Sequence, residues 1–118
     1  MKINTFKEII AWQKSHQLTL EIYNITKNFP KNEEYSLTSQ IRRCAVSIPS
    51  NIAEGFKRKT QKESERFYNI SEGSLEELKY QLILSKDLKY IEDQQFNSMY
   101  NQAEEVGKVL HSWKTSQH

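Results

Sequence analysis

The sequence predicts an all-α fold, an antiparallel up-down-up-down four-helix bundle that occupies residues 1–118 as a single domain. Glycine and proline are scarce, at 3 and 2 residues, which leaves few of the turns that a many-stranded sheet needs. Apolar residues recur at steps of three and four along four segments, the period of one helical face. The connections between these segments are short, so consecutive helices are expected to run antiparallel.

The first helix is predicted from about Thr5 to Asn28, with Pro30 after its end. Thr5 and Glu8 form a T-x-x-E capping box at its start. Its apolar residues lie on two faces roughly 150° apart. The first face holds Ile9, Trp12, His16, Leu20 and Tyr23, and the second holds Ala11, Leu18, Ile22, Ile25 and Phe29. We assign the second face to the core and expect a neighbouring subunit to bury the first, because soluble monomers rarely expose large apolar patches.

The second helix is predicted from within 33–37, about residue 34, to Glu54. Asn32 and Ser36 are alternative N-caps. Gly55 is placed to end the helix in a left-handed conformation. The apolar stripe consists of Leu37, Ile41, Cys44, Ala45, Ile48 and Ile52.

Pro49 lies inside this second helix. The stripe keeps its phase on both sides of the proline, which predicts a kinked helix rather than a break. Proline has no N–H, so the carbonyl of Ala45 loses its helical donor. We expect Ser47, Ser50 or a water molecule to satisfy that carbonyl.

The third helix is predicted over about 61–89, with Thr60 and Glu63 as a second T-x-x-E capping box. Its stripe consists of Phe67, Ser71, Leu75, Leu78 and Leu82. Gly73 and Ser74 are poor helix formers, and we expect a neighbouring helix to approach closely there.

The fourth helix is predicted over about 93–113. Its apolar residues alternate steps of three and four throughout, as in a coiled-coil seam. They are Phe96, Met99, Ala103, Val106, Leu110 and Trp113.

The net charge is +2, but it is distributed unevenly. Residues 1–60 hold ten Lys or Arg and five Asp or Glu, a formal +5, whereas residues 61–118 hold seven and ten, a formal −3. This asymmetry favours either an anionic partner for the first half or pairing between unlike halves. One cysteine, Cys44, fits a reduced cytoplasmic compartment. No apolar run is long enough to cross a membrane, and the N-terminus does not read as a signal peptide.

The sequence carries no signature of an enzyme, a cofactor site or a metal site. No Walker loop or G-x-G-x-x-G is present. The di-iron motif of helical bundles needs Glu three residues before His, but Gln13, Lys108 and Thr115 occupy those positions. Glu72, Glu76 and Glu77 resemble an acid–base group only superficially, and we assign them to a solvated face.

Basic residues form the candidate nucleic-acid contacts, because basic side chains beside aromatic ones can bind phosphate and stack bases. These residues are Arg42, Arg43, Lys57, Arg58, Lys59, Lys62 and Arg66. The alternative is that these residues form a solvated turn, whose positive electrostatic potential Glu63 and Glu65 reduce. In a ring of copies the patches would add, because binding grows with each phosphate neutralised.

The blocks "AWQKSHQL", "TKNFP", "YSLTSQIRRCAVSIPSNIAEGFKRKT", "GSLEELKYQL" and "AEEVGKVL" resemble the bacterial four-helix-bundle family, also called the 23S rRNA intervening-sequence proteins. The resemblance reaches every helix. It implies a ring-shaped homopentamer, and for most relatives no biochemical activity is established. A related branch, the accessory variability determinants of diversity-generating retroelements, binds nucleic acid and a reverse transcriptase.

These observations lead to one expected function and two alternatives. We expect a non-enzymatic, cytoplasmic, homo-oligomeric scaffold or adaptor, pentameric by the resemblance, with RNA or a nucleoprotein as its partner. The first alternative is a nucleic-acid-binding accessory protein that acts on RNA or DNA with a reverse transcriptase. An enzyme such as a nuclease is the third hypothesis.

Overall fold

The computed structural model describes residues 2–116, and over this range the chain forms four α-helices and two short 3₁₀ turns, with no strand. The helices are Ile10–Thr26 (α1), Leu37–Phe56 (α2), Gln61–Asp87 (α3) and Asp93–Ser116 (α4). The 3₁₀ turns are Phe6–Glu8, before α1, and Lys31–Glu33, before α2. The predicted all-α class and the order of the helices are confirmed.

Each helix packs against two neighbours. The contacting pairs are α1–α2, α2–α3, α3–α4 and α4–α1, and within residues 2–116 neither diagonal pair comes close. Neighbours run in opposite directions: Ser71 of α3 donates to the carbonyl of Ile48, whereas Ser64, earlier in α3, donates to that of Gly55, later in α2. This is the predicted up-down-up-down bundle.

The core consists of one apolar stripe from each helix. Its most deeply buried members are Ala11, Leu18 and Ile22 from α1, Ile41, Ala45, Ile48 and Ile52 from α2, Leu75, Leu78 and Leu82 from α3, and Met99, Ala103, Val106 and Leu110 from α4. Each large aliphatic side chain buried in this way contributes about 1.5–3 kcal/mol to the free energy of folding. The second face of α1 therefore packs into the core, as predicted.

The first helix begins five residues later than predicted, because the chain is extended at Ile9 (φ −75°, ψ 122°). This extended residue places the Ile9 side chain in the core, where it is 1% exposed. Thr5 accepts the N–H of Lys7 and caps the 3₁₀ turn instead of an α-helix. Glu8 accepts the N–H of Asn4 at 3.5 Å. Neither side chain accepts the other's N–H, so the predicted capping box is wrong here, and the burial of Ile9 separates both residues from α1.

The second helix begins at Leu37, with Ser36 as its N-cap residue. The side chain that caps it is that of Glu33, not that of Ser36 or Asn32. The Glu33 carboxylate accepts the Ser36 hydroxyl at 2.6 Å and the Leu37 N–H at 3.4 Å.

Gly55 lies inside α2 and does not end it, so its predicted role as a left-handed C-terminal residue is wrong. The helix continues to Phe56, and within residues 2–116 the one positive φ outside glycine is that of Lys89, after α3, while no glycine has one. A Cβ at Gly55 would lie 2.5 Å from Cε1 of Tyr68. Gly55 is therefore required by the close approach of α3, which the local sequence does not reveal.

The second helix is unbroken at Pro49, and the kink itself remains a prediction. The Ala45 carbonyl receives its hydrogen bond from the Thr19 hydroxyl of α1, at 3.0 Å, and not from Ser47 or Ser50. Ser47 instead pairs with Ser74 of α3 at 2.8 Å. The expectation of a local donor was wrong because the Ala45 carbonyl faces the neighbouring helix.

The expected close approach at Gly73 and Ser74 is correct for one of the two residues. Ser74 contacts α2 through its hydroxyl, and its carbonyl accepts the thiol of Cys44 at 3.0 Å. Gly73 is exposed, and a Cβ added there would meet no atom within 4 Å. Nothing within residues 2–116 of the protomer requires a glycine at this position.

Candidate functional site

The basic residues predicted to contact nucleic acid fall into two separate groups. Arg42 and Arg43 lie near the start of α2, and the others surround the α2–α3 connection. The second group is Lys57, Arg58, Lys59, Lys62 and Arg66. Fifteen residues separate Arg42 from Lys57, about 22 Å at the helical rise of 1.5 Å per residue. One protomer therefore does not present them as a single patch.

Arg42 is held in place by the last turns of α1. Its Nε donates to Oγ1 of Thr26 at 2.8 Å, and its Nη2 donates to the carbonyl of Tyr23 at 3.4 Å. The guanidinium carbon lies 4.8 Å from the centre of the Tyr23 ring. The neighbouring Arg43 is exposed. The structure thus orients one cation and leaves the other in solvent.

The structure brings further residues to Arg42 and Arg43 that sequence analysis missed. The end of α1, the loop through Pro30 and the first turns of α2 enclose an open groove of about 510 Å³. We call it the corner groove; its cationic and aromatic lining is Tyr23, Lys27, Phe29, Lys31, Tyr35, Arg42 and Arg43. Glu34 also lines it. Single lysines beside a turn carry no sequence signal, and only the reversal of the chain brings them to α2.

The second group is less concentrated than its sequence suggests. Arg58 forms an ion pair with Glu54, four residues earlier, and its guanidinium lies 5.0 Å from the ring centre of Phe67. The other members are exposed. Glu63, in the first turn of α3, further reduces the positive potential. This group is a set of exposed side chains around a helix connection.

The predicted interface face of α1 is partly exposed along its length. Trp12 stacks on His16, with ring centres 5.0 Å apart, and meets Phe6 edge-on at 5.0 Å. Leu20 is 50% exposed and Tyr23 is 40% exposed. We call Trp12, His16, Leu20 and Tyr23 the α1 outer face.

Ile9, the fifth residue predicted for this face, belongs to the core instead. The extended backbone at Ile9 takes it out of phase with the helix that follows. On its α4 side, α1 borders an open groove of about 670 Å³, whose lining includes Trp12, Gln17 and Gln102.

Two of the three carboxylates of α3 that resembled an acid–base group, Glu72 and Glu76, are engaged with lysines. Glu72 accepts from Lys114 at 2.8 Å, and Glu76 pairs with Lys79 at 2.8 Å. Lys79 also donates to Glu104 of α4 at 2.6 Å. Burial lowers the pKa of Lys79, but its hydrogen bonds to Glu104 and Glu76 outweigh burial and raise the pKa above its usual value. These contacts tie α3 to α4.

Cys44 is buried, and burial together with the charge of Glu77 raises the pKa of its thiol to about 12. A neutral, buried thiol is a poor nucleophile. Over residues 2–116, no three His, Cys, Asp or Glu side chains are placed to share a metal ion. In the same part of the chain, no helix combines the length and apolar character that a membrane span requires.

Comparisons with known proteins agree with this architecture. No curated protein matches the chain. Among solved structures, the chain is similar to a protein of unknown function from the S23 ribosomal protein family of Bacteroides thetaiotaomicron, with a TM-score of 0.82 and 26% identity. That similarity covers 90% of this chain and 96% of the other. The sequence model of the family described as 23S rRNA-intervening sequence protein matches residues 7–112 of this chain. The chain therefore belongs to the 23S rRNA-intervening sequence protein family.

Proposed function

We propose that this protein is a non-enzymatic homo-oligomeric scaffold or adaptor, assembled as a ring of five copies and associated with RNA or a nucleoprotein. The α1 outer face carries the proposal. Leu20 and Tyr23 are 50% and 40% exposed, in one row with the half-buried Trp12 and His16. A continuous row of aromatic and aliphatic side chains on a surface helix is typical of a contact between subunits.

A closed ring needs two different faces on each copy, because every subunit contacts one neighbour on each side. Helix α3, diagonal to α1 in the bundle, offers the second. Ile70 and Tyr80 are 47% and 59% exposed on either side of Gly73. Glycine in an exposed helix costs about 1 kcal/mol relative to alanine, and a helix of a neighbouring copy that approaches Gly73 would account for it. We call Ile70, Gly73 and Tyr80 the α3 outer face.

The number of copies comes from the resemblance, since similar proteins form ring-shaped homopentamers. Helices α3 and α4 lie in the half of formal charge −3, whereas α1 itself carries one lysine, Lys14, and one glutamate, Glu21. Apolar contact, and not charge, therefore pairs α1 with α3 in this proposal.

A mixing experiment tests the two faces. Leu20→Glu on α1 and Gly73→Leu on α3 are each expected to lower the mass measured by light scattering while the helical circular dichroism is kept. Mixed in equal amounts, the two variants are expected to form heterodimers, because each retains one intact face. Asn101→Glu, at an exposed position of α4, is the control and keeps the wild-type mass.

Two results would count against the proposal. If both variants keep the wild-type mass, neither face is an interface. If each variant alone dissociates to monomers but the mixture does not associate, the two faces do not pair with each other.

The corner groove favours a second candidate function, that of a nucleic-acid-binding accessory protein. The groove gathers four cations and one carboxylate. The resemblance adds a reverse transcriptase as a partner, and copurification of such an enzyme with the tagged protein would test this. An enzymatic role such as a nuclease predicts cleavage of RNA in the presence of divalent metal, and we expect none.

A further inference from the structure

We propose that the corner groove binds single-stranded nucleic acid, with an unpaired base stacked on Tyr35 and the adjacent phosphates on Lys27, Lys31 and Arg43. This rests on the nucleic-acid association proposed above. It adds the kind of nucleic acid that is bound and the place at which it binds.

Tyr35 is the first observation. Its side chain is 92% exposed, in the turn between the second 3₁₀ turn and α2. An aromatic ring left in water contributes almost nothing to the hydrophobic core. Glu34 interacts with its hydroxyl, at the edge of the ring. Both faces of the ring therefore remain accessible to a planar partner, and stacking of a nucleic-acid base uses such a face.

The charge around the ring is the second observation. Lys27, Lys31, Arg42 and Arg43 line the groove, against Glu34. The neighbouring Glu33 keeps its negative charge, since its hydrogen bonds come from the uncharged Ser36 hydroxyl, Leu37 N–H and Tyr90 hydroxyl. It does not line the groove, and the four cations outnumber Glu33 and Glu34 together. An excess of positive charge beside an exposed aromatic ring is the combination that single-strand binders use.

Arg42 adds order to this site. Thr26 and Tyr23 hold its guanidinium, so Arg42 presents a fixed positive charge beside the phosphates that Lys27, Lys31 and Arg43 bind. Arg43 and the two lysines are exposed and can follow a flexible backbone.

The geometry favours a single strand over a duplex. In a duplex both faces of each base are covered by its neighbours, so a ring such as Tyr35 has no base to stack on. The groove is also bordered by the end of one helix, a turn and the start of another. No helix or strand projects from it into a major groove, as direct readout of duplex DNA requires.

Fluorescence anisotropy with the full chain and labelled oligonucleotides tests the proposal. The probe is a single-stranded RNA of about 12 nucleotides, within the site sizes of single-strand binders; the same sequence as a duplex is the comparison. We expect the single strand to bind more tightly than the duplex. Tyr35→Phe should keep the affinity for the single strand, whereas Tyr35→Leu, which is apolar but not aromatic, should lower it roughly 5- to 150-fold.

Two double variants with equal charge loss locate the binding surface. Lys27→Gln with Lys31→Gln should weaken binding and reduce the slope of log K against log salt concentration by about 1.4. Lys57→Gln with Lys59→Gln, at the α2–α3 connection, should have a much smaller effect. Light scattering on each variant verifies that the oligomer is unchanged.

The outcomes separate this inference from the broader proposal. If the wild-type protein binds neither single strand nor duplex, the association with nucleic acid is refuted together with the site. If it binds but depends on Lys57 and Lys59 and not on Tyr35, the association stands and the corner groove is wrong. Equal affinity for single strand and duplex would also overturn the inference.

Discussion

The carbonyl of Ala45 shows how a single residue on one helix supports a proline on another. Pro49 deprives this carbonyl of its helical donor, and the Thr19 hydroxyl lies 3.0 Å from it. The same hydroxyl lies 2.8 Å from the carbonyl of Ser15. One hydroxyl has one proton, but the Ser15 carbonyl also receives the backbone N–H of Thr19 within the helix. Ala45 is therefore the acceptor that depends on the side chain.

Thr19→Val is expected to lower the free energy of unfolding by about 1–3 kcal/mol, because it leaves a buried carbonyl without a donor. In a Pro49→Ala background the loss should be smaller, since the backbone N–H at position 49 is restored. Thr38→Val is the matched control: within residues 2–116 its buried hydroxyl has no hydrogen-bond partner, so its removal leaves no carbonyl unpaired and should not lower the stability. Urea unfolding compares the wild type with these four variants, and an equal loss in both backgrounds would contradict the role of Thr19.

Alanine substitutions at the two glycines of the α2–α3 pair are expected to change the stability of the protein in opposite directions. Gly55→Ala should destabilise the protein, because its Cβ would lie 2.5 Å from the Tyr68 ring. Gly73→Ala should raise the stability of the protomer by up to about 1 kcal/mol, because its Cβ meets nothing within 4 Å. Thermal unfolding compares the two variants in the Leu20→Glu background, in which the proposed contact of Gly73 with a neighbouring copy is absent. Destabilisation by both in that background would show that Gly73 is packed within the protomer.

At the scale of the elements, the period of the apolar residues predicted four helices correctly. Burial of one apolar stripe per helix is the dominant favourable term in folding. The apolar residues of the sequence therefore recur with the period of an α-helix. The ends of the helices depend on contacts from elsewhere in the fold. Burial of Ile9 delays α1, and the Tyr68 ring, not a turn, requires Gly55.

The candidate site was predictable only in part for the same reason. Arg42 and Arg43 are adjacent in the chain, and their pairing is visible as a basic dipeptide. Lys27, Lys31 and Tyr35 join them only because the chain reverses between α1 and α2. The reversal itself was predicted from Pro30, but not which side chains it would bring to one groove.

Two connections at one end of the bundle are joined through Glu33. Its carboxylate accepts the hydroxyl of Tyr90, from the α3–α4 connection, at 2.7 Å. It also accepts the Ser36 hydroxyl at 2.6 Å, at the start of α2. The hydrogen bonds from Ser36 and Tyr90 lower the pKa of Glu33 below its usual 4.5.

Because the pKa of Glu33 is lower in the folded state than in the unfolded state, the unfolded chain binds more protons as the solution is acidified. The contribution of Glu33 to stability is therefore complete above about pH 4.5 and is lost as the pH falls through the folded pKa. Glu33→Gln should reduce the loss of stability between about pH 5 and pH 3. Urea unfolding across this range measures it; an unchanged acid dependence would show that Glu33 does not contribute.

At the scale of the whole molecule, the proposed surfaces serve different purposes. The α1 and α3 outer faces lie on helices that are diagonal in the bundle. The corner groove lies at the connection between α1 and α2, and it shares Tyr23 with the α1 outer face. Cyclic symmetry gives every copy the same orientation relative to the ring axis. A ring would therefore place all of its corner grooves on one rim, where one strand can reach several of them.

This arrangement predicts that affinity depends on the length of the nucleic acid only in the assembled protein. Wild-type protein should bind a long single strand more tightly than a short one, because linked sites raise the effective concentration of one another. Leu20→Glu, which leaves the groove residues in place, should bind the short strand normally and lose the gain from length. Anisotropy titrations with both strands test this, and an equal gain for both proteins would argue against a shared rim.

The mass of the unmodified protein in solution, measured by light scattering at micromolar concentration, tests the central claim of assembly most directly. Five copies of a 14.0 kDa chain have a mass of about 70 kDa, and that is the value we predict. Another multiple of the chain mass would change the number of copies and leave the assembly in place. A mass of 14.0 kDa, that of a single chain, would contradict the proposed function.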